Sequence, residues 1–146
     1  MIGVTGGLFV NTANFINFHI SEYATTIGKV VTLRDEFPLK DEQIIPPIIC
    51  YETEFMTMYK TELSSDIVTY NISFLINIIA KNNRELGELF KIVKTGLEVA
   101  DSNVAGIGDF RVETLDILET WEIVKAPKLY RAMSIRVWIN VVDFSV

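Results

Sequence analysis

Residues 67–79 constrain this chain more than any other stretch. Val68, Tyr70, Ile72, Phe74, Ile76 and Ile78 alternate with Ile67, Thr69, Asn71, Ser73, Leu75, Asn77 and Ile79. A sustained period of two with heavy β-branching predicts a long central strand, with one face more apolar than the other. Directly after it the period lengthens. Leu86, Leu89, Phe90, Val93 and Leu97 form one stripe at helical spacing, Asn82 or Asn83 is placed to cap it, and Glu85 and Glu88 lie early with Lys91 and Lys94 late. That arrangement suits the helix dipole.

The flanking segments fill in an order of elements. Residues 1–14 carry Gly3, Gly6, Gly7, Asn11 and Asn14 and read as an N-terminal arm or turn. Ile16, Ile20, Tyr23 and Ile27 follow at helical spacing with Thr12 as N-cap, which predicts a short helix. Residues 34–47, with four acids and three prolines, read as a surface linker, because proline cannot donate to a ladder. From Ile48 to about Lys60, Ile49, Tyr51, Thr53, Phe55, Thr57 and Tyr59 occupy one side of a predicted strand. Cys50, Glu52, Glu54, Met56 and Met58 occupy the other. Residues 101–108 read as a loop, and 110–124 and 129–142 as two strands turning at Pro127. The expected fold is therefore α+β with order α-β-β-α-β-β: a four-stranded, mostly antiparallel sheet with two helices on one face. At 146 residues the chain fits a single domain, 1–146, that buries roughly 70% of its unfolded surface.

Composition narrows the chemistry. The mean hydropathy of +0.30 is high, yet the most apolar segment, residues 72–80, is interrupted by Ser73 and Asn77 and is far shorter than the roughly 20 residues of a membrane span. The first ten residues have no basic region and read as no secretory signal. A net charge of −6 offers nothing to the counterion release that drives duplex binding, so sequence-specific nucleic-acid recognition is not expected. Asp101, Asp109, Glu113, Asp116, Glu119 and Glu122 precede Lys125, Lys128, Arg131 and Arg136. Folding this stretch back at Ala126-Pro127 sets Glu122 nearly opposite Arg131, a surface pair worth about 0.2–1 kcal/mol; the same flanks could also meet between copies of a ring.

Single residues add little chemistry. One cysteine and one histidine exclude a disulfide framework, a multi-cysteine zinc site and most triads. His19 lies among Phe15, Phe18 and Tyr23 and reads as structural, and Cys50 has no adjacent base and reads as a buried, inert thiol. Gly106-Ile107-Gly108 lacks the third glycine and the following helix of a phosphate loop, so it reads as a turn. Glu52 and Glu54 share a strand face, a spacing that can pair carboxylates for acid–base work and that a wet face explains equally well. No catalytic residue, metal ligand or cofactor is expected.

What stands out is surplus apolar surface. Phe55, Met56, Met58 and Tyr59 load both sides of one strand's outer half, although a single domain has one core face to offer. Tyr130 and Trp138 raise the same question on the last hairpin. These six residues are the candidate subunit interface, covered by the linker or by another subunit.

The succession of parts, IIPPIICYETE, DIVTYNISFLINIIA, NRELGELFKIVKTGLEVA, then RVETLDILETWEIV and YRAMSIRVWINVVDF, resembles the tail-terminator, or tail-completion, proteins of tailed bacteriophages over about residues 40–146. The resemblance implies a noncatalytic virion protein at the head-proximal end of the tail. It would be made in the host cytoplasm, form a ring of six copies that stops tube growth, and meet the tail tube protein, a neck or connector protein and, in some tails, the sheath. A ring needs two different adhesive surfaces on each subunit, and surplus acid suits a channel that passes DNA without holding it. Two other readings fit the same residues: another neck, connector or baseplate subunit, and a small dimeric α+β enzyme or ligand-binding domain whose dimer buries the apolar strand.

Overall fold

The computed structural model describes residues 4–60, 68–98, 101–104 and 108–143, with side chains for 10, 12–54, 69–98 and 110–142. Two helices, α1 (Val4–Thr26) and α2 (Asn83–Glu98), accompany six strands: β1 (Thr32–Arg34), β2 (Ile48–Lys60), β3 (Val68–Ala80), β4 (Asp101–Val104), β5 (Gly108–Lys125) and β6 (Lys128–Asp143). Among the described residues the strands form one sheet in the order β1-β2-β3-β6-β5-β4.

This corrects the expected four-stranded sheet. The protein is still α+β, but the sheet is mixed, because β1 runs parallel to β2 while the remaining pairs are antiparallel. Both extra strands are too short to carry a period, and Asp101-Ser102-Asn103 has turn chemistry; each exists because a longer neighbour supplies its ladder partners. The expected arm is also corrected. From Val4 onward the chain is helical, Thr12 lies inside α1 rather than at its cap, and Thr12, Ile16, Ile20 and Ala24 are buried at every fourth position. Tertiary packing of that stripe outweighs the low helix propensity of its glycines and asparagines. The phosphate-loop comparison at residues 106–107 lies outside the described residues. Residues 35–47 contain neither helix nor strand.

One face of the central strands is the core. Tyr70, Ile72, Phe74, Ile76 and Ile78 of β3 pair in register with Val141, Ile139, Val137, Ile135 and Met133 of β6, and all are buried. Phe15, Ile16 and Ile20 of α1 and Leu86, Leu89, Ile92, Val93 and Leu97 of α2 pack into the same cluster. Phe15 stacks on Phe110 of β5 at 5.2 Å, and Asn17 hydrogen-bonds Tyr51 of β2, so α1 is tied to both sides of the sheet.

Helix ends fix the rest. Gly28, at φ +74°, closes α1: its N–H donates to the Thr25 carbonyl and the Lys29 N–H to the Ala24 carbonyl, the paired bonds of a Schellman motif. Lys29 is thereby aimed at the start of α2, where its Nζ donates to Glu85 Oε2 at 3.0 Å. Asn82 Oδ1 caps α2 by accepting the Glu85 N–H at 2.9 Å, and Glu85 Oε1 accepts the Lys81 N–H at 3.0 Å. Burial alone would raise the Glu85 pKa; the Lys81 N–H and the Lys29 ammonium outweigh it and hold the carboxyl below its ordinary value.

This packing has measurable consequences. A Cβ built on Gly96 would lie 3.0 Å from the His19 carbonyl oxygen, because α1 and α2 pack closely there. Gly96→Ala will lower stability by about 1–3 kcal/mol in urea unfolding despite its gain in helix propensity. Because the folded Glu85 pKa is depressed, its contribution is complete above its unfolded value near pH 4.5 and fades as pH falls through the folded value. Urea midpoints measured from about pH 7 down to pH 3 will therefore drop on the acid side for the natural protein, and Glu85→Gln will flatten that drop.

Candidate assembly surface

The sheet face turned away from the helices divides into two zones. At one end, Ile48 and Cys50 of β2, Ile79 of β3, Tyr130 of β6 and Ile123 of β5 cluster under Ile44 of the 35–47 segment. Tyr130 is buried and its hydroxyl donates to the Ile44 carbonyl at 3.2 Å. Phe37 lies 6.3 Å from Trp121, and Lys125 donates to the Lys40 carbonyl. The linker thus covers its own apolar patch, and Tyr130 is buried beneath it within one copy. Cys50 sits in this zone, where burial pushes its thiol up to about 11. It is inert.

The other zone is polar and carries no layer of this chain's helices. Arg136 holds Glu54 through two bonds of 2.9 Å, from Nε to Oε1 and from an Nη to Oε2. This pairing, above all, raises the guanidinium pKa. Glu54 is therefore half of an ion pair with Arg136, whereas Glu52 is exposed. Asn140 donates to Asn71 at 3.1 Å and to Glu113 at 3.2 Å, and Ser134 donates to Asn77. Trp138 is half-buried between these groups, at a register position beside Ser73 on one side and Thr114 on the other.

A bulge between Thr53 and Phe55 decides which positions of β2 belong to this face. Before it, Ile49 and Tyr51 pair with the helix-side residues Ile78 and Ile76. Beyond it the alternation is reset. Met56 and Met58 stand opposite the helix-side Ile72 and Tyr70, whereas Phe55, Thr57 and Tyr59 stand opposite Ser73, Asn71 and Thr69 of the open face. The unbroken alternation expected from 48 to 60 is therefore corrected, because one inserted residue exchanges the faces of everything after it. The side chains of Phe55, Met56, Met58 and Tyr59 lie outside the described residues.

Sequence reading missed several of the exposed apolar side chains among the described residues. Ile117 and Leu118, at a second bulged stretch of β5, are 50% and 43% exposed. On α1 and the turn after it, Phe18 and Val30 are 61% and 88% exposed. Helix α1 has a single charged residue, Glu22, and Phe18 is exposed among the polar Asn14, Glu22, Thr25 and Thr26, so no pattern in the sequence singled it out. The charge pairing at the hairpin was legible: Glu122 and Arg131 pair in register and as an ion pair, and Arg131 also reaches Asn83 at 2.7 Å. Among the described residues no group of His, Cys, Asp and Glu is arranged to hold a metal ion.

The fold has a counterpart of known structure. A chain from the virion of a native gene transfer agent particle shares the fold, with a TM-score of 0.52 and 14% identity over 87% of this chain and 91% of that one. No protein-family model matches the sequence, and no curated protein matches it.

The bulge yields a test. Phe55→Asp and Tyr59→Asp, at open-face positions, will leave the thermal unfolding midpoint nearly unchanged and reduce any self-association measured by light scattering. Met58→Asp, opposite buried Tyr70, will instead destabilise the fold by several kcal/mol, about 2–5.

Proposed function

We propose that this protein is a structural component of a virion, noncatalytic, acting through assembly rather than chemistry. The observation that carries the reading is the fold shared along most of both chains with a chain of a gene transfer agent virion. Fold alone does not specify function. Its weight here comes from agreement with the resemblance of the sequence to tail terminators and with the surfaces the fold leaves uncovered.

The finer proposal is a tail terminator: a ring, of six copies in that family, that caps the tail tube at its head-proximal end and offers a docking face to a neck or connector protein. Partners would then be further copies of this chain, the tube protein, the neck protein and, in a contractile tail, the sheath. Two features support a ring. Apolar groups are exposed at different places, Phe18 and Val30 near α1 and Ile117 and Leu118 on β5, as a head-to-tail contact requires. The chain's acid excess, concentrated on β5, would repel rather than retain DNA.

Light scattering of the purified full-length chain tests this reading. A particle of about six subunits supports the terminator. A strict dimer favours the small enzyme or binding domain, and a protein that remains monomeric at high concentration removes the ring.

A further inference from the structure

The six-stranded sheet leaves two edges unpaired among the described residues, and they lie on opposite sides of the subunit. Strand β1 covers only residues 48–50 of β2, leaving 51–60 without an outer neighbour. Strand β4 covers only residues 108–111 of β5, leaving 112–125 open. Each open stretch presents a row of backbone N–H and C=O groups, a template for another strand.

Three features select the partner. The first is polarity. Because β2–β3, β3–β6 and β6–β5 are each antiparallel, β5 runs antiparallel to β2. A second copy set beside the first in the same orientation therefore brings its β2 to β5 as an antiparallel pair.

The second is outline. The β1 cap lies at the level of the row Ile48, Ile79, Ala132 and Trp121, and the β4 cap at the level of Lys60, Val68, Asp143 and Gly108. The caps are at opposite ends. They block a level pairing and admit a staggered one, in which the open part of β2 slides past β4 toward the hairpin end of β5. That end is also the regular one. The bulges of β5 lie between Val112 and Thr114 and between Ile117 and Glu119, whereas residues 119–125 are unbroken.

The third is charge. The open part of β5 carries Glu113, Asp116, Glu119 and Glu122 against Lys125 alone. Pairing of β5 with a second β5 about a two-fold axis would oppose acid with acid. The open part of β2 has Glu52, Glu54 and Lys60, and Glu54 is already neutralised by Arg136. Even with Glu122 paired to Arg131, a β5 partner would bring Glu113, Asp116 and Glu119, whereas β2 brings Glu52 against Lys60, so of the two open edges β2 is the one that opposes β5 with less acid.

We propose that neighbouring copies join edge to edge, with the hairpin-end part of β5 in one copy pairing antiparallel with residues 51–60 of β2 in the next. This rests on the self-assembly reading above and specifies its contact: the sheet continues from subunit to subunit around the ring. The bulges and acids of β5 then serve to refuse other strands.

Cysteine cross-linking tests it on the full chain. Thr57→Cys is combined in turn with Glu119→Cys, Thr120→Cys or Glu122→Cys; all three β5 positions are exposed. The unmodified chain, which keeps the buried Cys50, is oxidised alongside as the blank. A disulfide closes only when the Cα atoms approach within about 7 Å. Within one copy β2 and β5 are three strand spacings apart, roughly 14 Å, so any bond formed joins two copies. At least one double variant is expected to give a ladder of covalent multimers on oxidation, while each single variant remains uncross-linked. A covalent dimer from Thr57→Cys alone, or from any β5 cysteine alone, would mean like edges meeting and overturns the proposal. Absence of cross-links in all three double variants that still assemble by light scattering overturns it too, leaving the ring intact. If the unmodified chain never assembles, the self-assembly reading falls first and takes the contact with it.

Discussion

The fold hangs on the pairing of β3 with β6. These two long strands place Tyr70, Ile72, Phe74, Ile76 and Ile78 beside Val141, Ile139, Val137, Ile135 and Met133, an unbroken apolar surface on one side of the sheet. Such a surface must be covered, since each fully buried large apolar side chain contributes about 1.5–3 kcal/mol. Both helices are recruited to it. Their mutual position is then fixed by close approach at Gly96 and by the Glu85 carboxylate, which joins the α1 exit to the α2 cap.

The opposite face follows a different logic. Its central positions are filled by groups that satisfy one another across strands: Asn77 with Ser134, Asn71 with Asn140, Glu54 with Arg136. Among the described residues no buried side-chain polar atom lacks a partner. A face built this way needs no helix layer to be stable, so it remains available, with Trp138 half-buried within it. Combined with the stretches of β2 and β5 that have no outer strand among the described residues, it gives the subunit lateral surfaces.

Much of the architecture was readable from local pattern. The long strands and α2 announced themselves through strict periodicity, and the Glu122–Arg131 pair followed from folding the hairpin at Pro127. The candidate surface was only half readable. Surplus apolar residues at 55–59 and at Trp138 were visible, but Tyr130 belonged to the linker's own anchor, and Ile117, Leu118 and Phe18 were hidden in segments whose pattern looked ordinary. A one-residue bulge after Thr53 carries no composition signal, yet it exchanges the two faces of the rest of β2.

By itself the sequence determined which segments alternate, which repeat at helical spacing and where the charge lies, because these follow from the geometry of one strand or one helix. Only the tertiary structure decided that residues 4–11 are helical, that Thr32–Arg34 and Asp101–Val104 become strands, and which edges stay open. The reason is physical. A short strand has no stability apart from the neighbour that completes its hydrogen bonds, and a helix with poor propensity persists only where a core buries its stripe.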